Sequence, residues 1–278
     1  MNVAEIISLK NKRKITMLTA YDYSLAALID LAEIDIILVG DSLANVVLGL
    51  ESTKEVGMRE MLHHAKAVRR GVKNALLVGD MPYSSYQIHP EDCLANAKSF
   101  IEEAGCQAVK LEWFEGCPET TAKIAAAGIP VMGHIGLTPQ TADKIGGFKV
   151  QGKDARTARN LIRQAAELEK AGCFAIVLEC VPDKISELIT RDIKIPTIGI
   201  GAGIHCDGQV LVINDILGLF TRYTPKFVKK YADLSPLVSA AVSNFKEEVL
   251  RGEFPAPEHS FTIKEEEFKK IRDCETPD

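Results

Sequence analysis

Long apolar runs, an excess of basic residues and paired cysteine motifs are all missing from this chain. With no stretch of membrane-spanning length and no signal-peptide core, the sequence is expected to be cytoplasmic and free of the membrane. A formal net charge of −5 leaves no electrostatic footprint for nucleic acid or an anionic lipid surface. The seven cysteines are odd in number and scattered, without C-x-x-C or zinc-like spacing. They are expected as buried thiols in a reducing compartment. No linker-like composition interrupts the 278 residues, 46% of which are hydrophobic. The expectation is a single domain over 1–278, with a short N-terminal helix and a C-terminal extension from about 254.

What is present is a recurring alternation. Short Val/Ile/Leu-rich runs predict strands at 15–19, 35–40, 75–79, 108–111, 130–133, 175–178, 197–200 and roughly 217–220. Runs without polar alternation suit strands buried on both faces, as in parallel sheets. Helical patterns lie between them at 22–33, 58–70, 91–104, 118–127, 154–171 and 183–190, and again over about 225–250. Gly71, Gly105, Gly128 and Gly172 stand where these helices should stop. Eight strands alternating with helices predict an α/β fold of the (β/α)8 TIM-barrel kind in preference to an open doubly wound sheet.

Two segments are near duplicates: AGCQAVKLE at 104–112 and AGCFAIVLE at 171–179. LVGD occurs at 38–41 and again at 77–80. Each of these strand-like runs ends on an acid: Asp41, Asp80, Glu112 and Glu179. A parallel barrel carries the C-terminal ends of all its strands, and its active site, on one face, so the four acids should share one mouth. Acids after strands also serve as helix N-caps, and Asp22 is expected to do so. Clustered buried carboxylates need a cation, and without Cys/His spacing an oxygen-only site implies a hard ion such as Mg²⁺. Lys110 shares a strand face with Glu112 and either pairs with it or binds a substrate carboxylate. His134 ends a strand and is expected as a substrate contact. GIGAG at 199–203 is a weak candidate for phosphate binding on backbone N–H groups, since Gly-rich turns also serve close packing.

The motifs TAYDY (19–23), ILVGDSL (37–43), DMPYSSY (80–86), VKLE (109–112), VMGHIGLTPQ (131–140), GGFKVQGK (146–153), IVLE (176–179) and GIGAG…CDGQVLV (199–212) together resemble the ketopantoate hydroxymethyltransferase family. The match runs in order from about 14 to 261. The resemblance implies a barrel of the phosphoenolpyruvate/pyruvate type. It also implies a cytoplasmic Mg²⁺ enzyme of pantothenate biosynthesis, commonly a homodecamer. The implied reaction moves a one-carbon unit from 5,10-methylenetetrahydrofolate to 3-methyl-2-oxobutanoate, giving 2-dehydropantoate and tetrahydrofolate. Carried over residue by residue, the metal ligands fall on Asp41, Asp80 and Glu112. Substrate contacts fall on Asp41, Ser42, Asp80 and Lys110, and the proton acceptor on Glu179. The chain departs from the family where Trp113 and Phe114 replace a usual Gly-Gly pair, at Ile204-His205, and at Gly57-Met58.

Two rival readings are distinct in class. One is a lyase or mutase of the same barrel superfamily, acting on another 2-oxo or 2-hydroxy acid with the same metal cradle and no folate. The cysteine-bearing K-K-C-G-H loop common among those relatives is missing here. The other is a barrel recruited as a ligand-binding or regulatory protein, which the presence of all four acids disfavours.

Overall fold

The computed structural model describes residues 1–87, 89–142, 147 and 149–273. Gly146 and Phe148 of the GGFKVQGK motif lie outside the described residues, as do the last five of the C-terminal extension. The chain divides into two compact units, Met1–Tyr231 and Ala232–Asp278. The division falls well before residue 254.

In the first unit, strands β1 (Ile15–Thr19), β2 (Ile36–Val39), β3 (Leu76–Asp80), β4 (Ala108–Glu112), β5 (Val131–Gly136), β6 (Cys173–Glu179), β7 (Thr197–Ile200) and β8 (Gly208–Leu211) pair in parallel. They close into a barrel in sequence order. Helices follow as α1 (Val3–Ser8), α2 (Tyr23–Leu31), α3 (Leu43–Val46), α4 (Met58–Gly71), α5 (Cys93–Glu102), α6 (Cys117–Ala126), α7 (Ala155–Lys170), α8 (Asp183–Asp192) and α9 (Ile213–Ile216). The second unit holds α10 (Leu234–Arg251) and α11 (Glu265–Asp273).

The strand period of two sorts side chains into two cores. Val109 and Leu111 of β4 point outward, into the layer shared with the helices. Ala108 points inward and joins Ile36, Leu76, Val78, Ala175 and Ile198 in the barrel interior. Ile6 of α1 is fully buried in that same inner cluster, so the N-terminal helix plugs the apolar end of the barrel. Continuing the inward face toward the strand ends replaces hydrocarbon with Lys110, Glu112 and His134.

The eighth strand is corrected. It is Gly208–Leu211, whereas 217–220 follows α9 and contains Gly218 at φ 65°. Gly208 and Gln209 disguise the strand, yet a Cβ at Gly208 would lie 2.5 Å from the Ile15 carbonyl, so only glycine lets β8 close on β1. Gly105, Gly128 and Gly172 adopt φ of 68°, 81° and 100° and end helices as expected. Gly71 is the last residue of α4, so that helix also stops where expected, and a Cβ there would come 2.7 Å from the Tyr23 carbonyl of α2. Helix α10 begins at Leu234, so 225–233 is not helical.

Asp22 caps α2 by accepting from the Leu25 amide at 2.9 Å. A stronger cap was not foreseen. Asp30, buried, accepts from the amides of Lys73, Asn74 and Ala75 at 2.8–3.2 Å, tying α2 to the start of β3. Burial opposes its ionised form, but these N–H donors win and hold the carboxyl below its ordinary value. A depressed folded pKa gives stability that is present above the unfolded carboxylate range and lost as pH falls through the folded value. Asp30→Ala should therefore destabilise the protein by about 2 kcal/mol at pH 7. In urea titrations, the gap from wild type should narrow on acidification below about pH 4.

Candidate active site

The barrel places all four acids at one end. Asp80, Glu112 and Glu179 are the last residues of β3, β4 and β6, and Asp41 follows β2 by two residues. Strand register fixes their neighbours: Asp80 sits beside Lys110, and Glu112 beside His134. Gly136 lies beside Glu179 at φ 99°, where a Cβ would fall 2.2 Å from the Glu179 carbonyl oxygen. The next amide, Leu137, donates to that carbonyl at 2.8 Å. Glycine at this position is what lets the end of β5 lock Glu179 in place.

Lys110 pairs with Asp80, at 2.8 and 2.9 Å to its two carboxylate oxygens, and not with Glu112. The partner comes from the adjacent strand, which the sequence spacing could not show. Burial works against the Lys110 ammonium, but Asp80, Glu112 and Asp41 overcome it and hold the proton more firmly than usual. His134 is buried with Nε2 3.2 Å from Glu179 and Nδ1 3.5 Å from Glu112. Neither contact has hydrogen-bond geometry, so both ring nitrogens remain without a hydrogen-bond partner among the described residues. Burial and Lys110 disfavour the imidazolium, yet the two carboxylates push its pKa up to about 9.

Two further residues complete the cluster. Gln140, completely buried, donates from Nε2 to Asp41 at 2.9 Å and to the Met81 carbonyl at 3.1 Å. Its amide N–H donates to Glu112 at 3.0 Å. Tyr86 donates its hydroxyl to Gln140 Oε1 and accepts from the Glu112 amide at 3.1 Å. Both lie in family-like motifs, DMPYSSY (80–86) and VMGHIGLTPQ (131–140), and neither is among the residues expected at the site from the sequence. The signal was available: a tyrosine in the segment after acid-bearing β3 and a glutamine in the segment after β5, the strand that carries His134. Gln140→Leu should leave the Tyr86 O–H without its acceptor and the Met81 carbonyl without its side-chain donor. A loss of about 1–3 kcal/mol in urea unfolding is expected. Ser42 shares a hydrogen bond with Tyr21 at 2.8 Å.

Four carboxyl groups thus face two cations. Burial, together with Asp80 and Glu112, raises the Asp41 carboxyl well above its ordinary value. Burial also raises Asp80, against the pull of Lys110. Among the described residues, no three His, Cys, Asp or Glu side chains stand ready-made to hold a metal. An oxygen-only donor set with uncompensated buried negative charge fits a hard divalent ion, which takes one or two carboxylates and completes its shell with substrate and water oxygens. Asp41, Asp80 and Glu112 are the groups that could contribute.

GIGAG is a packing motif. Added Cβ atoms at Gly201 and Gly203 would lie 2.7 Å from Phe227 and 2.6 Å from Asp183. The expected thiols hold for Cys93, Cys106, Cys117, Cys173 and Cys206, all free and buried, and Cys180 is free and half-buried. No helix among the described residues is long and apolar enough to cross a membrane.

The chain is similar to known proteins in both sequence and fold. The 3-methyl-2-oxobutanoate hydroxymethyltransferase of Syntrophomonas wolfei is 58% identical over 262 residues, covering 94% of this chain and 95% of the relative. The Enterococcus faecalis enzyme of that name is 56% identical over 259 residues, covering 93% and 94%. Among solved structures, phosphonopyruvate hydrolase in complex with oxalate and Mg++ superposes with a TM-score of 0.58 at 15% identity, over 99% of this chain and 98% of that one. 2,3-Dimethylmalate lyase, a PEP mutase/isocitrate lyase superfamily member, gives 0.58 at 13% identity, over 98% and 94%. These two likenesses establish the barrel type. The sequence profile described as ketopantoate hydroxymethyltransferase matches residues 1–257, and the chain belongs to that family.

Proposed function

We propose that this enzyme transfers a hydroxymethyl group from 5,10-methylenetetrahydrofolate to 3-methyl-2-oxobutanoate, releasing 2-dehydropantoate and tetrahydrofolate, as a step of pantothenate biosynthesis. The observation that carries the reading is the gathering of Asp41, Asp80, Lys110, Glu112, His134 and Glu179 at one barrel mouth, in a chain of this family. Mg²⁺ held by Asp41, Asp80 and Glu112 would supply Lewis acidity toward the oxygens of a 2-oxo acid and so acidify its C3–H. The uncompensated charge of the cluster supports this, as does the Mg++ in the phosphonopyruvate hydrolase complex.

The chain's own residues set the rest. Lys110 spends two of its three N–H donors on Asp80, leaving one for a substrate carboxylate oxygen. Ser42, next to Asp41, supplies a hydroxyl to the same end of the substrate. His134, buried with neither ring nitrogen hydrogen-bonded, contacts the substrate and sets the position of Glu179. Glu179 takes the C3 proton as general base. Its cationic neighbour is His134, 3.2 Å away, and not a lysine. The resulting carbanion equivalent attacks the methylene carbon of the folate to form the new C–C bond; the two C–N bonds to that carbon break as tetrahydrofolate leaves, and water supplies the hydroxyl.

The enzyme acts in the cytoplasm as a homo-oligomer, a decamer by family resemblance. The second unit supports association: none of the described residues of α10 is buried, and Leu237, Val242, Phe245 and Leu250 are exposed. The experiment is folate-dependent formation of 2-dehydropantoate by the purified protein. Cleavage of a 2-hydroxy acid without folate, and no 2-dehydropantoate, would favour the lyase alternative.

A further inference from the structure

A cavity of about 340 Å³ opens beside the acids, within the range of small-ligand sites. Trp113, which directly follows Glu112, lines it, as do Gly136, the register neighbour of Glu179, and Thr138 and Thr141, which flank Gln140. A ligand seated there lies alongside the catalytic end of the barrel. Gln164 of α7 also lines it, only 7% exposed and with no hydrogen-bond partner among the described residues. Its amide presents one acceptor and two donors in a plane.

The cavity continues past Thr157 and Asn160, which it shares with a neighbouring groove of about 520 Å³. That groove is lined by Arg156, Arg159 and Arg163. Arg156 and Arg159 have no ion-pair partner among the described residues. They stand near the start of α7, where the helix dipole favours acids. A pocket lined by Trp113 and the Gln164 amide thus runs into a cationic groove.

We infer that this composite site binds the folate co-substrate, with the pterin ring between Trp113 and Gln164 and the glutamate tail on Arg156, Arg159 and Arg163. The inference deepens the proposed activity and rests on it. Trp113 offers a stacking face to the pterin. The Gln164 amide matches the paired donor and acceptor edge of a 2-amino-4-oxopyrimidine. The arginines match the tail's carboxylates, whose number grows with each added glutamate.

The chain's single tryptophan makes the test direct. Anaerobic titration of the intact protein with tetrahydrofolate should quench its fluorescence saturably. Gln164→Met, close in volume, should raise the Kd about tenfold, the loss of roughly one hydrogen bond to a buried partner. The KM for the folate should rise in parallel while that for 3-methyl-2-oxobutanoate changes by less than about twofold on the same scale. Arg159→Ala, on the surface and safe for folding, should weaken triglutamyl tetrahydrofolate more than the monoglutamate. Circular-dichroism melts confirm that each variant is folded. If Gln164→Met does not fold, the wild-type titration and Arg159→Ala decide. A wild type that turns over while its tryptophan ignores saturating tetrahydrofolate overturns the site alone. So does a folded Gln164→Met with wild-type folate KM, or an Arg159→Ala indifferent to tail length. A wild type that neither turns over nor binds tetrahydrofolate overturns the activity and the site together.

Discussion

Glu179→Gln should fold, bind 3-methyl-2-oxobutanoate and lose C3–H exchange by about a thousandfold, within the range ascribed to a positioned general base. The substitution keeps shape and hydrogen-bonding reach while removing basicity. The substitution leaves the backbone lock at Gly136–Leu137 intact, while the buried His134 ring loses one of its two carboxylate neighbours. The Glu179 side chain is 14% exposed, the most accessible carboxylate among those His134 touches, as a group that meets substrate must be. Substrate affinity by calorimetry separates loss of the base from loss of the site. An exchange rate equal to wild type would remove Glu179 from the role.

Lys110→Ala should raise the KM for 3-methyl-2-oxobutanoate about a hundredfold, the value of a charge-assisted contact of roughly 3 kcal/mol. It should also lower the stability of the ligand-free protein. Lys110 is buried and bonded to both oxygens of Asp80, so its removal strands a carboxylate next to Asp41 and Glu112. Breaking a buried pair from one side costs about 3–5 kcal/mol, partly relieved here because Asp80 can take up a proton. The two effects are read separately, by steady-state kinetics and by thermal unfolding. A large fall in melting temperature with an unchanged KM would make Lys110 a structural partner of Asp80 and nothing more.

How far the residues themselves foretold this arrangement depends on the range of the interaction. Strands such as Ile15–Thr19 and Thr197–Ile200 are local apolar runs, and their bounds agree with expectation. The final strand hid because closing the barrel needs a glycine against Ile15, a demand made by β1 from the far end of the chain. The acids were visible as strand ends. Their partners were not, because Lys110 meets Asp80 through the β3–β4 register and Gln140 reaches Asp41 across 99 residues of sequence. Within one strand, spacing shows which face a residue takes; it does not show which neighbour that face will meet. The near-duplicate segments remain informative in this light. The copy ending in Lys110-Leu-Glu112 carries the cation into the barrel, and the copy with Val177 leaves its strand apolar up to Glu179.

The central claim is that this mouth removes a proton from C3 of a 2-oxo acid. It is tested most directly by incubating wild-type protein with 3-methyl-2-oxobutanoate in deuterium oxide, with and without Mg²⁺ and in the absence of folate, and following C3–H by proton NMR. The account predicts ion-dependent loss of the C3 signal at a rate far above the solvent background. No exchange above background with the ion present, from protein that still binds the oxo acid, would contradict it.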